Sequence, residues 1–422
     1  METEVISLGC RLNAYEGEAM KRLAAEAGFG EAVVVNSCAV TAEAVRQTRQ
    51  TIRRARRERP NARIVVTGCA AQIDAQGFAS MAEVDAVLGN REKLSADDWR
   101  RLARTGERIL VNDIMAVRDA APQLVEAYGD RARAFLQIQN GCDHRCTFCV
   151  IPYGRGPSRS VPIDAVVDAA RRLADAGHAE IVLTGVDITS WGADLAPRAT
   201  LGDLVERLLN AAPAVRRLRL SSIDGAEIDG KLADLICGAA RIAPYLHLSL
   251  QSGDDLILKR MKRRHSRAQS VAFCQEMRDR RPEIAIGADL IAGFPTETDE
   301  MFENSVALIA DAGLNFVHVF PYSAREGTPA ARMPQLDPAV VKARARRLRA
   351  AAAGARDRFL DSQIGSTVEA VIESGARARL PNFALARLSE PLGRPGAIVS
   401  LKIVAREGGE LIGARLDAVA AA

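Results

Sequence analysis

Aromatic residues are scarce in this chain of 422 residues, at 4%, with two tryptophans. Its cores must therefore be built from Ala, Val, Leu and Ile, and few rings are left to stack on nucleic-acid bases. No apolar run approaches the ~18 residues of a membrane span. The opening METEVISLGC has two acids in its first four residues and no long apolar stretch, so no secretory signal is expected. Solenoid repeats are missing, and low complexity is confined to Ala-rich patches. Excess charge is also small: 57 Lys and Arg against 53 Asp and Glu leave +4. A polyanionic partner would have to be met by local patches rather than by the field of the whole molecule. These absences predict a cytoplasmic protein with no membrane partner. It should comprise about three domains, and its 48% hydrophobic content supports sizeable cores.

Cysteine, by contrast, is plentiful, with eight residues. In a reducing compartment they point to metal or redox chemistry rather than to disulfides. Three of them, Cys142, Cys146 and Cys149, form a Cys-x3-Cys-x2-Cys run in GCDHRCTFC, after the apolar run Phe135–Ile138. Thiolates this close can converge on one iron–sulfur cube, which has four irons normally held by four cysteines. Three ligands leave one iron open. A closed zinc site would want a fourth ligand, for which His144 is at hand. Three reduced thiols are the bland alternative.

Three more cysteines are far apart in sequence but alike in setting. Cys10 follows VISLG, Cys38 follows VVVNS and Cys69 follows IVVTG. Each sits just past a predicted strand, in Val5–Leu8, Ala32–Val35 and Arg63–Thr67, with Val84–Leu88 as a fourth. Helical patterns near 14–27 and 42–57 alternate with them, so residues 1–105 read as a doubly wound parallel sheet. Strand ends of such a sheet face one side, and three thiols would meet there as a second three-ligand site. The plain alternative is three small buried hydrophobes. Cys237 and Cys274 fall within helical patterns and read as structural.

Residues 106–133, with Pro122 and Gly129, read as a connector. Residues 134–335 carry six strand-like runs: Phe135–Ile138, Ile181–Thr184, Arg217–Leu220, Leu246–Leu250, Ile284–Ile291 and Phe316–Phe320. Helices between them, near 163–176, 201–211, 229–239, 266–280 and 298–312, predict a partial (βα)6 barrel with its chemistry at the carboxyl ends of the strands. Residues 336–363 read as a linking helix, solvated because its arginines keep to no single face. Residues 364–422 hold five short alternating runs parted by glycines, the pattern of a small antiparallel β-barrel. The fold class is thus α/β with this small barrel appended. Arg46, Arg49, Arg53 and Arg57 form one helical stripe, and Arg377, Arg379 and Arg387 alternate along the last domain. Both read as RNA-backbone contacts or as solvated faces.

With all three domains read, the chain resembles the methylthiotransferase family of radical S-adenosylmethionine (SAM) enzymes over essentially its whole length. SLGCRLNAYEGE, VNSCAVTAEA and VTGCAAQ resemble that family's auxiliary-cluster motifs, and GCDHRCTFCVIPYGRGPSRS its radical SAM loop. LTGVDITSWG, SSIDGAEID, LHLSLQSGDDLILKRMKR and DLIAGFPTETDEMF resemble its barrel segments, and the tail its RNA-binding TRAM barrel. The combination is most similar to the branch acting on threonylcarbamoyladenosine in tRNA.

The resemblance implies two 4Fe–4S clusters, one on Cys142, Cys146 and Cys149 that cleaves SAM, the other on Cys10, Cys38 and Cys69 that carries sulfur. It implies a SAM pocket on the barrel rim, with Gly185, Asp187, Ser222, Gln251 and Asp289 as its candidates. Arg155 and Arg159 are candidates for RNA phosphate or a substrate carboxylate, since Arg pairs bidentately with both. The implied partners are tRNA and a reductant, either a protein or a small electron donor. The implied reaction places a methylthio group on carbon 2 of the adenine at tRNA position 37. That C–H is neither acidic nor activated, so a general base is of no use and a cofactor must carry the step. Isopentenyladenosine or a ribosomal-protein aspartate are the alternative substrates. A non-catalytic iron–sulfur RNA-binding protein is the alternative class. The tail departs from the family pattern: ARLPNFALARL keeps one aromatic, Phe383, for base stacking.

Overall fold

A computed structural model of the chain describes residues 3–119, 125, 128 and 131–416. Five parallel strands form the first sheet, in the order β1 (Glu4–Ser7), β2 (Ala32–Ser37), β3 (Arg63–Gly68), β4 (Ala86–Leu88) and β5 (Ile109–Leu110). Between them lie α1 (Arg11–Glu26), α2 (Ala42–Glu58), α3 (Cys69–Ile73), α4 (Ala75–Ala79) and α5 (Ala96–Thr105). Every residue of β2 is buried, because helices cover both faces. Val33 and Val35 meet Ile52 and Ala55 of α2, whereas Val34 meets Met20 and Leu23 of α1 and Trp99 of α5. The steps β1 to β2 and β2 to β3 run the same way across the sheet, yet their helices lie on opposite faces. One of these crossovers must therefore be left-handed, against the strong usual preference. In return, α1 lies against the next domain, where Leu12, Tyr15 and Ala19 share a core with Ala134 and Leu136.

Strand β5 falls in the span read as a connector, since two residues give no periodicity to detect. Pro122 and Gly129 of that span lie outside the described residues.

The second domain begins with β6 (Ala134–Gln137), the short antiparallel pair β7 (Gln139–Asn140) and β8 (Arg159–Ser160), and α6 (Ile151–Arg155) between that pair. There follow α7 (Ile163–Asp175), β9 (Glu180–Thr184), α8 (Leu201–Ala211), β10 (Arg217–Leu220), β11 (Ser222–Ile223), α9 (Gly230–Gly238) and β12 (Tyr245–Gln251). The domain closes with α10 (Asp255–Arg260), α11 (Arg267–Arg280), β13 (Ala285–Ala292), α12 (Asp299–Asp311) and β14 (Phe316–Pro321). Strands β6, β9 and β10 make one parallel sheet, and β11 to β14 another, the break falling at Ser221. Alternate residues such as Leu218, Leu246, Leu248 and Leu290 pack under the helices. The residues between them are polar and bond across strands: Arg219 to Glu180 at 2.7 Å, and His247 to Asp289 at 2.8 Å. The arc therefore has an aliphatic outside and a polar lumen.

Helix α13 (Pro338–Asp361) leads to the last domain. It is not solvated all round as its sequence suggests. Ala345, Leu348 and Ala352 join the central core, and buried Arg344 binds Glu297 and Asp299 at 2.9 and 2.6 Å. The partner acids lie on the loop before α12 and at its start, far from α13 in sequence. Strands β15 (Thr367–Ser374), β16 (Arg377–Arg379), β17 (Leu385–Leu388), β18 (Ile398–Glu407) and β19 (Glu410–Arg415) close a barrel in the order β15-β16-β17-β19-β18. It docks on the lumen end away from the cysteine loop, where Phe383 stacks on Tyr245 with centroids 4.6 Å apart. Among the described residues no helix is long and apolar enough to cross a membrane.

Candidate functional site

Cys10 caps the start of α1, Cys38 follows β2, and Cys69 opens α3 directly after β3. The three strand tips are drawn together at close range. Gly9 has φ +90°, and a Cβ there would lie 2.8 Å from the Cys38 sulfur, so only glycine fits between Cys10 and Cys38. Asn13 donates to the Leu8 and Ser37 carbonyls, tying the ends of β1 and β2. Burial pushes the Cys38 thiol up to about 11, and nearby Cys69 and Cys10 add to the rise. A metal ion that binds sulfur would have to displace the proton from this thiol.

The second triplet is built on one loop. Thr147 anchors that loop, its amide donating to the Met261 carbonyl at 3.2 Å and its hydroxyl to that of Arg260 at 2.8 Å. The Ile151 amide donates to the Cys149 sulfur at 3.4 Å, and Arg263 reaches the Cys146 sulfur at 3.8 Å while bound to Asp224 at 2.8 Å. Burial raises Cys149 to about 11, with contributions from Cys146 and, across the domain boundary, from Cys69. Helix α6, which follows Cys149, lays Gly154 against Cys69, so the two triplets are joined across the domain boundary.

Their spacing bears on the choice of metal. Among the described residues, donor atoms closing to within 4.8 Å of one another belong to Cys142–His144–Asp187, His247–Asp289–His318 and His144–Asp224–Glu227. Neither cysteine triplet closes that far. A tetrahedral zinc site with Zn–S about 2.3 Å needs sulfurs about 3.8 Å apart, closer than the sulfurs of either triplet stand here. His144 turns to Asp187, at 2.9 Å, rather than completing a ligand set with all three loop cysteines.

The remaining sequence candidates fare differently. Asp187 lies beside the loop, 3.8 Å from the Cys142 sulfur, and accepts from Ser190 at 2.7 Å. Gly185 is pressed against Gln139 and Ile188, so its lack of a side chain serves packing within the protein. Exposed Ser222 and half-buried Gln251 lie on β11 and at the end of β12. Asp289 sits in mid-strand, held by His247 at 2.8 Å and His318 at 3.2 Å. Burial works against its charge, but the two histidines hold it down at about 2.

Arg155 and Arg159, the candidates for RNA or a substrate carboxylate, both lie inside the protein. Arg155 is 2% exposed, and its guanidinium is occupied by Cys69 at 3.1 Å, Asn13 at 2.6 Å and Glu16. Arg159 is buried and donates to the Arg155 carbonyl at 2.9 Å. The basic faces are also spoken for. On α2, Arg46 pairs with Glu43, Arg49 with Asp74 and Arg53 with Glu83, leaving exposed Arg57. In the last domain Arg377, Arg379 and Arg387 pair with Glu410, Glu373 and Glu407.

Sequence reasoning missed Glu16, Lys93, Arg263, His247 and His318. Glu16 did leave a trace: it lies at helical spacing on the face that carries Leu12, Tyr15, Ala19 and Leu23, all buried. Cys237 and Cys274 lie in helices α9 and α11, away from both triplets.

The radical SAM superfamily model matches residues 136–309, and that of the uncharacterized protein family UPF0004 matches residues 2–89. The chain is 47% identical over 409 residues to threonylcarbamoyladenosine tRNA methylthiotransferase MtaB of Rickettsia prowazekii (strain Madrid E), covering 97% of this chain and 96% of the relative. It is 34% identical over 394 residues to MtaB of Aquifex aeolicus (strain VF5), covering 91% and 95%. A solved structure of the radical SAM methyltransferase TsrM from Kitasatospora setae aligns with TM-score 0.52 over 76% of this chain and 68% of that one. At 18% identity it shows a shared fold. With relatives matched at this identity along nearly the whole length, the chain belongs to the MtaB group of radical SAM methylthiotransferases.

Proposed function

We propose that this methylthiotransferase acts on threonylcarbamoyladenosine at position 37 of tRNA in the cytoplasm and yields the 2-methylthio product. SAM and two 4Fe–4S clusters are its cofactors. Cys142, Cys146 and Cys149 would hold one cluster, and Cys10, Cys38 and Cys69 the other, with a separate reductant supplying electrons. When bound, these groups supply one-electron cleavage of SAM and a carrier for sulfur. The observation that carries this reading is the contact that α6, which follows Cys149, makes with Cys69 of the first domain: Gly154 lies against it and Arg155 Nε is 3.1 Å from its sulfur.

The chain's own residues then have definable work. Arg263 and Arg155 direct N–H groups at Cys146 and Cys69, which orients each of these side chains. Asp187, fixed by Ser190 and by the amides that bind Gln139, offers a carboxylate beside Cys142 for the amino group of SAM. The short α6 links Cys149 to Arg155 and so holds the two sites at a fixed separation. Nucleoside mass spectrometry of tRNA from a deletion strain tests the assignment. The methylthio derivative of threonylcarbamoyladenosine should disappear and its precursor accumulate. Loss of methylthio-isopentenyladenosine instead would move the substrate to the sister branch, and unchanged tRNA would point to a protein substrate.

A further inference from the structure

The cysteine site on the first sheet is backed by ionised side chains that have no access to water. Glu16 and Lys93 are fully buried, and Arg155 nearly so. Lys93 Nζ donates to Glu16 at 2.7 Å and to Asn36 at 3.3 Å, while Arg155 binds the same carboxylate through two nitrogens. Two cations thus share one carboxylate in a dry interior. Burial pushes Lys93 down, Glu16 pulls it back up, and the neighbouring Arg155 guanidinium pushes it down again. Buried charge left uncompensated is costly. The group placed to compensate is sulfur: Arg155 Nε lies 3.1 Å from the Cys69 sulfur, and Asn90 adds a second donor at 3.8 Å.

Arg155 does not belong to the first domain. It ends α6, whose start follows Cys149 of the loop triplet. Within that helix Gly154 lies flat on Cys69, where a Cβ would come 3.0 Å from the cysteine's own. Seven residues therefore run from a ligand of one cluster to the hydrogen-bond donor of a ligand of the other.

We propose that Arg155 is a positioning residue that couples cluster loading at Cys10, Cys38 and Cys69 to docking of the two domains. The negative charge of a loaded site completes the Glu16–Lys93–Arg155 network, and the completed network holds α6 and the loop triplet in place. Without that charge the network is left one anion short, and α6 is held less firmly. The inference rests on the assignment of the N-terminal cysteines to a cluster, and its test separates the two.

The test uses full-length chains in which Cys142, Cys146 and Cys149 are alanine, reconstituted anaerobically so that iron can fill only the N-terminal site. Absence of about four irons in this background refutes the cluster assignment itself. With iron bound, midpoint potentials are read for Arg155→Gln and Glu16→Gln. Removing the cation disfavours the more negative, reduced cluster and lowers the potential. Removing the carboxylate raises it. A purely structural role would disturb occupancy in both variants without opposite shifts. In parallel, hydrogen exchange of the 151–156 amides should slow on iron loading in the parent and not in Arg155→Gln. Equal potentials in all three proteins, or equal protection of α6 with and without iron in the parent, would overturn the proposal. Should Arg155→Gln fail to fold, Glu16→Gln and the parent's own exchange response still decide it.

Discussion

The two cysteine triplets are assembled by opposite means. Cys142, Cys146 and Cys149 come from eight consecutive positions of one half-buried loop, whose own Thr147 ties it to Arg260 and Met261 and which Arg263 contacts from outside. Cys10, Cys38 and Cys69 come from three strand tips and are backed by a dry network of Glu16, Lys93 and Arg155. A loop can arrange its ligands locally and can rearrange them without disturbing the sheet. Strand tips cannot move without the sheet, so that site is as rigid as the domain that carries it. Such a division would suit the proposed pair, in which one site admits SAM and the other carries sulfur.

The largest expected effect breaks the pair cleanly. Cys146→Ala and Cys69→Ala should each lower iron from about eight to about four per chain. Only Cys146→Ala should abolish formation of 5′-deoxyadenosine from SAM and reductant. Cys69→Ala should keep that cleavage and lose methylthio transfer. Loss of cleavage in both proteins would mean that the sites do not divide the work as proposed.

The next effect, on stability, compares the supports. Glu16→Ala strands two buried cations and should cost about 3–5 kcal/mol. Asp224→Ala, at the loop, leaves Arg263 still bonded to the Ser249 carbonyl at 2.7 Å and should cost about 1–3 kcal/mol. Denaturant titrations of the iron-free proteins measure both, and the reverse order would remove the contrast.

The same difference decides what could be read from sequence. The loop triplet is a local spacing and needs no fold to be seen. The strand-tip triplet was legible because each cysteine follows an apolar run, and parallel sheets gather such positions on one side. Arg155 was not legible, since its neighbours Glu16 and Cys69 lie 139 and 86 positions away. The partners of the α2 stripe were hidden for a similar reason: its repeat is real, and Asp74 and Glu83 reach Arg49 and Arg53 from later turns of the chain. Strand β5 was too short to show a period, and Ser221 gives no hint that the barrel sheet breaks there.

A third region sharpens the comparison because it holds charge in the lumen without any thiol. Asp289 has its carboxyl held at about 2, below the ordinary aspartate value of 3.8, by His247 and His318. Its contribution to stability is complete above the unfolded value and is lost as pH falls through the folded one. Between pH 4 and 2 the iron-free protein should lose about 2 kcal/mol from this group. Asp289→Asn should remove that slope while leaving iron binding at both triplets intact. An unchanged acid profile would show that the histidines do not hold the charge.

The smallest effect concerns the third domain, which contributes no cysteine. Phe383 adopts φ +74°, a left-handed backbone that a bulky residue seldom takes. Its ring stacks on Tyr245, with the guanidinium groups of Arg379, Arg219 and Arg11 at 4.7, 5.4 and 5.6 Å. A ring so placed plugs the lumen end opposite the cysteine loop and is committed to holding domains together, not to stacking on RNA. Phe383→Ala should cost about 1–2 kcal/mol and speed proteolysis of the C-terminal barrel. The salt dependence of tRNA binding should stay as it was, since no phosphate contact is removed. A tenfold loss of tRNA affinity with stability unchanged would return this ring to the RNA surface, and the barrel would then have to be counted as part of the substrate site.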